Sequence, residues 1–218
     1  MDPFSSDFIG EDNSQFIEFL KHQANIEWGG YRLYDGSNNH LQQNPNEFTD
    51  FISALKKYEK ENKFRFKKFL EIGFHAGFTN TILKKIFNFQ EIVAIDIIEG
   101  PVSSSAFRAN LRFKNLTLIC NDSTSQYSIN NARKLGPFDL IFIDGNHDYE
   151  IAKKDFENYK EMISDNGVII LHDIKSKVHE GIPRLWNEIT SKNEYEIDTV
   201  YNDDVIMKTG FGILKPKK

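Results

Sequence analysis

From Phe69 onward, short apolar segments alternate five times with longer amphipathic ones, and this alternation constrains the chain more than any other feature. Strand-helix repetition builds a parallel sheet, because parallel neighbours need a crossover of a dozen or more residues between them. The expected strands are Lys68–Ile72, Ile92–Ile97, Leu116–Cys120, Phe138–Asp144 and Gly167–His172. Several contain apolar runs without alternation, LIFI and VIIL among them, as central strands covered on both faces do. Helices are expected over Asn80–Phe87, Val102–Phe113, Ser125–Leu135, Tyr149–Ile163 and His179–Thr190. Two β-prone stretches, Tyr195–Tyr201 and Gly210–Leu214, follow with turn residues Asn202–Asp204 between them, and read as a closing hairpin-like pair.

The first 65 residues break the pattern. Asn13–Ile26 and Asn46–Asn62 read as helices joined by a Gly-, Asn- and Gln-rich connection, WGGYRLYDGSNNHLQQNP. A connection of that length in a compact protein is often a lid or a binding loop. The expected organisation is therefore an N-terminal helical or lid segment over 1–65 and an α/β domain over 66–218. Trp28, Tyr31, Tyr34, Gln42 and Gln43 could serve that loop as substrate contacts, or its aromatics could form a homo-oligomer contact.

Composition enters as a set of exclusions. A net charge of −5, with Lys and Arg dispersed, offers no continuous basic stripe for a nucleic acid backbone. No apolar run reaches the roughly 18 residues of a spanning helix, and the start MDPFSSDF has neither a basic nor an apolar stretch, so a cytoplasmic chain without a membrane partner is expected. The single Cys120 excludes an internal disulfide and, in the run LTLIC, reads as a buried thiol.

Chemistry concentrates at strand ends. FLEIGFHAGFTN joins the first strand to its helix through Gly73 and Gly77, a turn that lets backbone approach a ligand while the helix start supplies N–H donors. A dinucleotide fingerprint would need glycine where His75 and Phe78 stand, and a P-loop would need a following Gly-Lys-Ser/Thr. Glu71, two places before the first glycine, would repel phosphate and attract an ammonium group, which favours a zwitterionic ligand. Asp96 ends the second strand, 23 residues beyond Gly73, where a carboxylate commonly grips a ribose diol. Asp122 and Ser123 follow the third strand and could reach an adenine amine or cap the next helix, capping being preferred for Ser123.

The ordered set LEIGFHAG, AIDI, NDS, FDLIFIDGNHDYE and GVIILHD resembles the class I S-adenosylmethionine-dependent methyltransferases, and among them a small-molecule O-methyltransferase-like branch. The resemblance spans Phe69 to Leu214. It implies a Rossmann-like α/β fold with a seven-stranded, mostly parallel sheet, helices on both faces and an antiparallel last strand. It implies that Glu71, Gly73, Phe74, His75 and Gly77 face the methionine part of the cofactor, Asp96 the ribose, and Asp122 with Ser123 the adenine, with Asp144 also near the cofactor. The family usually carries glycine or a small polar residue where His75 stands.

A second cluster follows the fourth and fifth strands, in FIDGNHDYE and IILHDI. Asp144 and Asp173 leave the same sheet edge from strands expected to be neighbours about 4.8 Å apart, and two such carboxylates can hold one divalent cation. The resemblance matches a metal set to Asp144, His172 and Asp173, with Mg²⁺ or Mn²⁺ as the ion and metal-free use of the same residues as the rival. His147, three residues past the fourth strand, is expected to titrate near neutrality and to act as general base beside Asp144. The expected activity is O-methylation of a small hydroxylated acceptor, of the sugar or natural-product kind. The competing readings are a nucleotide-dependent oxidoreductase and an inactive nucleoside-binding protein.

Overall fold

The computed structural model describes residues 13–33, 40–99, 114–202 and 209–217. The elements are α1 (Ser14–Lys21), α2 (Pro45–Glu61), β1 (Lys68–Ile72), α3 (Phe78–Phe87), β2 (Glu91–Asp96), β3 (Leu116–Cys120), α4 (Gln126–Leu135), β4 (Phe138–Ile143), α5 (Tyr149–Tyr159), β5 (Ile163–His172), α6 (Gly181–Ser191), β6 (Tyr195–Val200) and β7 (Phe211–Pro216), with short 3-10 turns at Ile26–Trp28 and Lys160–Met162. The helix expected over Val102–Phe113 and Tyr34 of the N-terminal loop lie outside the described residues. Among those described, no helix is long and apolar enough to cross a membrane.

Seven strands form one sheet in the order β3-β2-β1-β4-β5-β7-β6. All neighbours pair in parallel except β7, which runs antiparallel to both β5 and β6. The order reverses between β1 and β4 relative to β2 and β3, and at such a switch point the crossover connections diverge and leave a crevice beyond the strand ends.

Alternation along the strands divides the core into two layers. Phe69, Ile92, Ala94, Leu140, Phe142 and Ile170 face the layer built by α1, α2 and α3. Leu70, Val93, Ile95, Ile141, Ile169 and Leu171 face the opposite layer of α4, α5 and α6. The period of two along each strand sends successive side chains to opposite layers. Helix α2 belongs to the first layer through an aromatic stack, with Phe51 and Phe211 at 4.3 Å between centroids and Phe51 and Phe142 at 6.1 Å. Removing a buried ring of this kind costs about 3–5 kcal/mol.

A polar clamp fixes the same helix. Glu47, fully buried in the first turn of α2, accepts from the backbone N–H of Asn202 at 2.9 Å and of Gly210 at 3.1 Å, and from the Thr209 hydroxyl. Asn44 caps α2, its Oδ1 accepting from the N–H groups of Asn46 and Glu47. One expectation is corrected at the sheet margin, where Cys120 is exposed. It ends β3, which among the described residues is an edge strand paired only with β2.

Candidate active site

The turn from β1 into α3 is held in conformations that few residues adopt. Gly73 has φ +91°, and a Cβ there would lie 2.0 Å from the carbonyl oxygen of Asp144, so the turn can pass the end of β4 only as glycine. Gly77, at φ +77°, caps α3. His75, between them, has φ +49°, the left-handed conformation that glycine takes freely and other residues adopt at roughly 1–2 kcal/mol.

Asp96 is fixed by this turn. Its Oδ2 accepts from the His75 backbone N–H at 2.7 Å and its Oδ1 from that of Ile98 at 2.7 Å, leaving a free lone pair on each oxygen toward the cavity. Glu71 behaves differently. It is buried and accepts from Asn80 Nδ2 at 2.8 Å, lying behind the cavity wall instead of lining it. Burial, opposed by the Asn80 bond and reinforced by the charges of Asp144 and Asp96, holds its carboxyl well above the usual range.

Asp144, His147, His172 and Asp173 meet at the ends of β4 and β5. Nδ1 of His172 stands 3.1 Å from Asp144 Oδ1 and 3.4 Å from Asp173 Oδ2. Nε2 of His147 stands 3.9 Å from Asp144 Oδ1 and 3.0 Å from Asp173 Oδ2, the shorter contact at ion-pair distance but off the hydrogen-bond direction. Burial alone would depress His172, yet the charges of Asp144 and Asp173 carry it well above the ordinary histidine value. Burial would raise both aspartates, and the cationic histidines, His172 first, bring them below the ordinary carboxylate value. Asp144 and Asp173 together push the His147 imidazole up to about 9. The expectation that His147 titrates near neutrality is therefore corrected: two carboxylates hold it as imidazolium at pH 7.

The ligand atoms of Asp144, His147 and Asp173 lie within 4.8 Å of one another. His147 thus joins the two aspartates in a group able to hold a cation, while His172, expected in that group, turns Nδ1 to the carboxylates and leaves Nε2 buried without a partner. Asp173 has φ +63°, a strained backbone at a strand end within the cluster.

One cavity of about 730 Å³ joins these groups, within the usual range for small-molecule sites. Gly73, Phe74, His75, Gly77 and Asp96 line one side; Asp122 and Ser123 line the adjacent wall; and Asp144, His147, His172 and Asp173 line the other side. Asp122 Oδ1 accepts from Thr124 N–H at 2.7 Å, closing its own turn. The helix cap preferred for Ser123 belongs instead to Ser125, whose Oγ accepts from Ser128 N–H at 3.2 Å. The N-terminal segment closes the cavity with Trp28, His40, Gln42 and Gln43. Gln43 Nε2 donates to Asp144 Oδ2 at 3.0 Å across 101 residues of sequence, and nothing local to either residue announces that bond. His40 and His179 were not singled out from sequence. The latter stacks on His147 with centroids 4.3 Å apart.

Residues 70–174 match the family model of a methyltransferase domain. No curated protein sequence matches the chain. Among solved structures the chain is similar to the O-methyltransferase TomG from Streptomyces achromogenes in complex with SAM, at 14% identity over 99% of this chain and 94% of that one, with a TM-score of 0.60. It is similar to the N-methyltransferase NodS from Bradyrhizobium japonicum with S-adenosyl-L-homocysteine, at 16% identity over 95% of this chain and 100% of that one, TM-score 0.56. The SAH-bound methyltransferase PaMTH1 from Podospora anserina matches at 16% identity over 96% and 97%, TM-score 0.56. Identities this low speak for the fold.

Proposed function

We propose that this chain, whose residues 70–174 match a methyltransferase domain, is a class I S-adenosylmethionine-dependent methyltransferase that methylates a hydroxyl of a small hydroxylated metabolite. The observation that carries the reading is one cavity lined both by Asp96 and by the Asp144, His147 and Asp173 cluster. Bound S-adenosylmethionine supplies a methyl group already activated by its sulfonium. The protein's task is then alignment, exclusion of water and removal of the acceptor proton.

The residues fit that cofactor. Asp96 keeps a lone pair on each oxygen for a ribose diol, and the Gly73–Gly77 turn, with Phe74 and His75, forms the wall for the amino acid part. Asp122 and Ser123 flank the adenine end. Glu71 acts from behind, setting Asn80 and the turn. On the acceptor side, Asp144 orients the hydroxyl and His147 takes its proton. Because the carboxylates hold His147 protonated, the base becomes available only as pH rises toward 9.

Asp144, His147 and Asp173 could instead hold Mg²⁺ or Mn²⁺, which would supply Lewis-acid activation of the acceptor hydroxyl in place of the imidazole base, since a metal-bound His147 has no lone pair for the proton. The test is transfer of labelled methyl from S-adenosylmethionine to a panel of small alcohols, phenols and glycosides, with EDTA and then with Mg²⁺ or Mn²⁺. Labelled ether product is expected, reduced in EDTA and restored by metal. NADH binding without any S-adenosylmethionine binding would return the chain to the oxidoreductase reading, and full turnover in EDTA would remove the metal.

A further inference from the structure

His147 stands on the loop between β4 and α5, and the loop between β5 and α6 lies against it. Contacts from that second loop reach both the backbone and the ring. At the backbone, a Cβ on Gly181 would lie 2.2 Å from the His147 carbonyl oxygen and 2.5 Å from the Tyr149 nitrogen, so the first residue of α6 rests directly on the chain that carries the imidazole. At the ring, His179 stacks on His147 with the two planes inclined by 27°. The stacking loop is itself tied down. Lys175 N–H donates to the Thr209 carbonyl at 2.8 Å, Ser176 N–H to that of Asp173 at 3.0 Å, and His179 N–H to Ser176 Oγ at 3.1 Å.

The carboxylates attract His147 without aiming it. Asp173 Oδ2, 3.0 Å from Nε2, is off the hydrogen-bond direction, and Asp144 Oδ1 is 3.9 Å away. Coulomb attraction depends on the separation of the charges and not on the angle of the ring. A histidine side chain has about three staggered wells at χ1 and about two at χ2, roughly six orientations in all, while a general base must present one nitrogen to the proton it removes. Contact with the face of a second ring fixes the plane, and an aromatic face also attracts the cation that the two aspartates maintain. Resting on the methyltransferase reading above, we propose that His179 is a positioning residue: held on a loop anchored at Asp173 and Thr209, its ring fixes the plane of His147 so that the imidazole meets the acceptor hydroxyl in one orientation. It acts through the stack and not through its own nitrogens.

The test compares His179→Ala and His179→Phe in the full chain. Methyl transfer to an acceptor from the panel above is followed at pH 9, where the base is available, in whichever of EDTA or Mg²⁺ gives the native protein more turnover. With His147 released among about six orientations, kcat falls about fivefold in His179→Ala while KM for S-adenosylmethionine stays within about twofold. His179→Phe keeps an aromatic face and loses both ring nitrogens, so it returns kcat to within about twofold of native. Crystals of the variants read the ring directly, with His147 in one orientation in His179→Phe and spread over several in His179→Ala; should no acceptor in the panel be methylated, these crystals alone decide. Native kcat in His179→Ala, a KM that rises as far as kcat falls, or a single native orientation of His147 in the alanine crystals overturns the proposal. A phenylalanine variant as slow as the alanine one also overturns it, by assigning the effect to the ring nitrogens. Failure of the native chain to take up S-adenosylhomocysteine instead removes the methyltransferase reading, and the proposal falls with it.

Discussion

The two sides of the cavity are held by different means. On the β1–β2 side, Asp96 is gripped by two backbone N–H groups whose positions follow from a glycine turn, so its geometry is set within a few residues of chain. On the β4–β5 side, two aspartates and two histidines neutralise one another, and one aspartate is also held by Gln43 from 101 residues away. Backbone donors are groups that do not themselves titrate. A cluster of side-chain charges is fixed only while its protons stay in place, which suits the side of the cavity where a proton must move.

The sharpest way to separate the sides is His147→Ala. Turnover should fall roughly 10²- to 10⁴-fold, the usual contribution of a general base, while S-adenosylhomocysteine affinity is retained by calorimetry. Equal loss of both would merge the two sides into one functional unit.

The pH profile comes next. The native enzyme without metal should gain about tenfold in turnover per pH unit from 7 upward and level off near 9, because only the neutral imidazole accepts a proton, leaving it about a hundredfold below plateau at pH 7. A flat profile between 7 and 9 would assign the proton to another group.

Asp96→Ala should act in the opposite sense to His147→Ala. It should weaken cofactor binding by roughly 10- to 100-fold through loss of bonds to a charged acceptor, with turnover at saturating cofactor much less affected. Comparing KM for cofactor with kcat in the two variants checks the division of labour directly.

Asp155 tests the support beneath both sides. It is fully buried next to Gly145, with Ser123 alongside but outside hydrogen-bond geometry, and burial, aided by Asp122, raises its carboxyl to about 6. A carboxyl raised in the folded state binds protons there that the unfolded chain has already released. Its contribution to stability therefore falls as pH rises from about 4 to 6 and stays low above that. Asp155→Asn should stabilise the protein at pH 7 by on the order of 2–3 kcal/mol and have little effect at pH 4, as denaturant titrations at the two pH values would show. A gain independent of pH would mean that the ionised form is not what is penalised.

The smallest effect is expected at His75. His75→Gly removes a left-handed histidine at the price of a more flexible unfolded chain, so stability should change by no more than about 1 kcal/mol, with cofactor affinity nearly constant. A large loss of affinity would show that the imidazole itself touches the cofactor.

The same contrast explains what could be read in advance. The fold was legible because each strand is a short apolar run and each turn carries its own glycine or acid; Lys68–Ile72 and Leu116–Cys120 fall where expected. Asp96 was legible for the same reason, since its partners are near in sequence. Glu71 was located but its direction was not, because alternation along β1 sends it to the buried side against Asn80. His147 was recognised while its charge was not, because the second carboxylate raising it comes from Asp173 on another strand. The Gln43 bond depends on how α2 docks on the sheet, and that docking is decided by Phe48 and Phe51 against a strand at the far end of the chain.

Glu47 gives that docking a consequence for assembly. The clamp sits four residues after Gln43 and is completed only by Asn202, Thr209 and Gly210. A nascent chain that has emerged as far as β4 already holds the turn and the acid that would seat a nucleoside, yet the latch that sets Gln43 must await the final hairpin. The residues that close the clamp also bring Phe211 onto Phe51, so the N-terminal wall of the cavity and the last strand must settle together, after the rest of the sheet has been made.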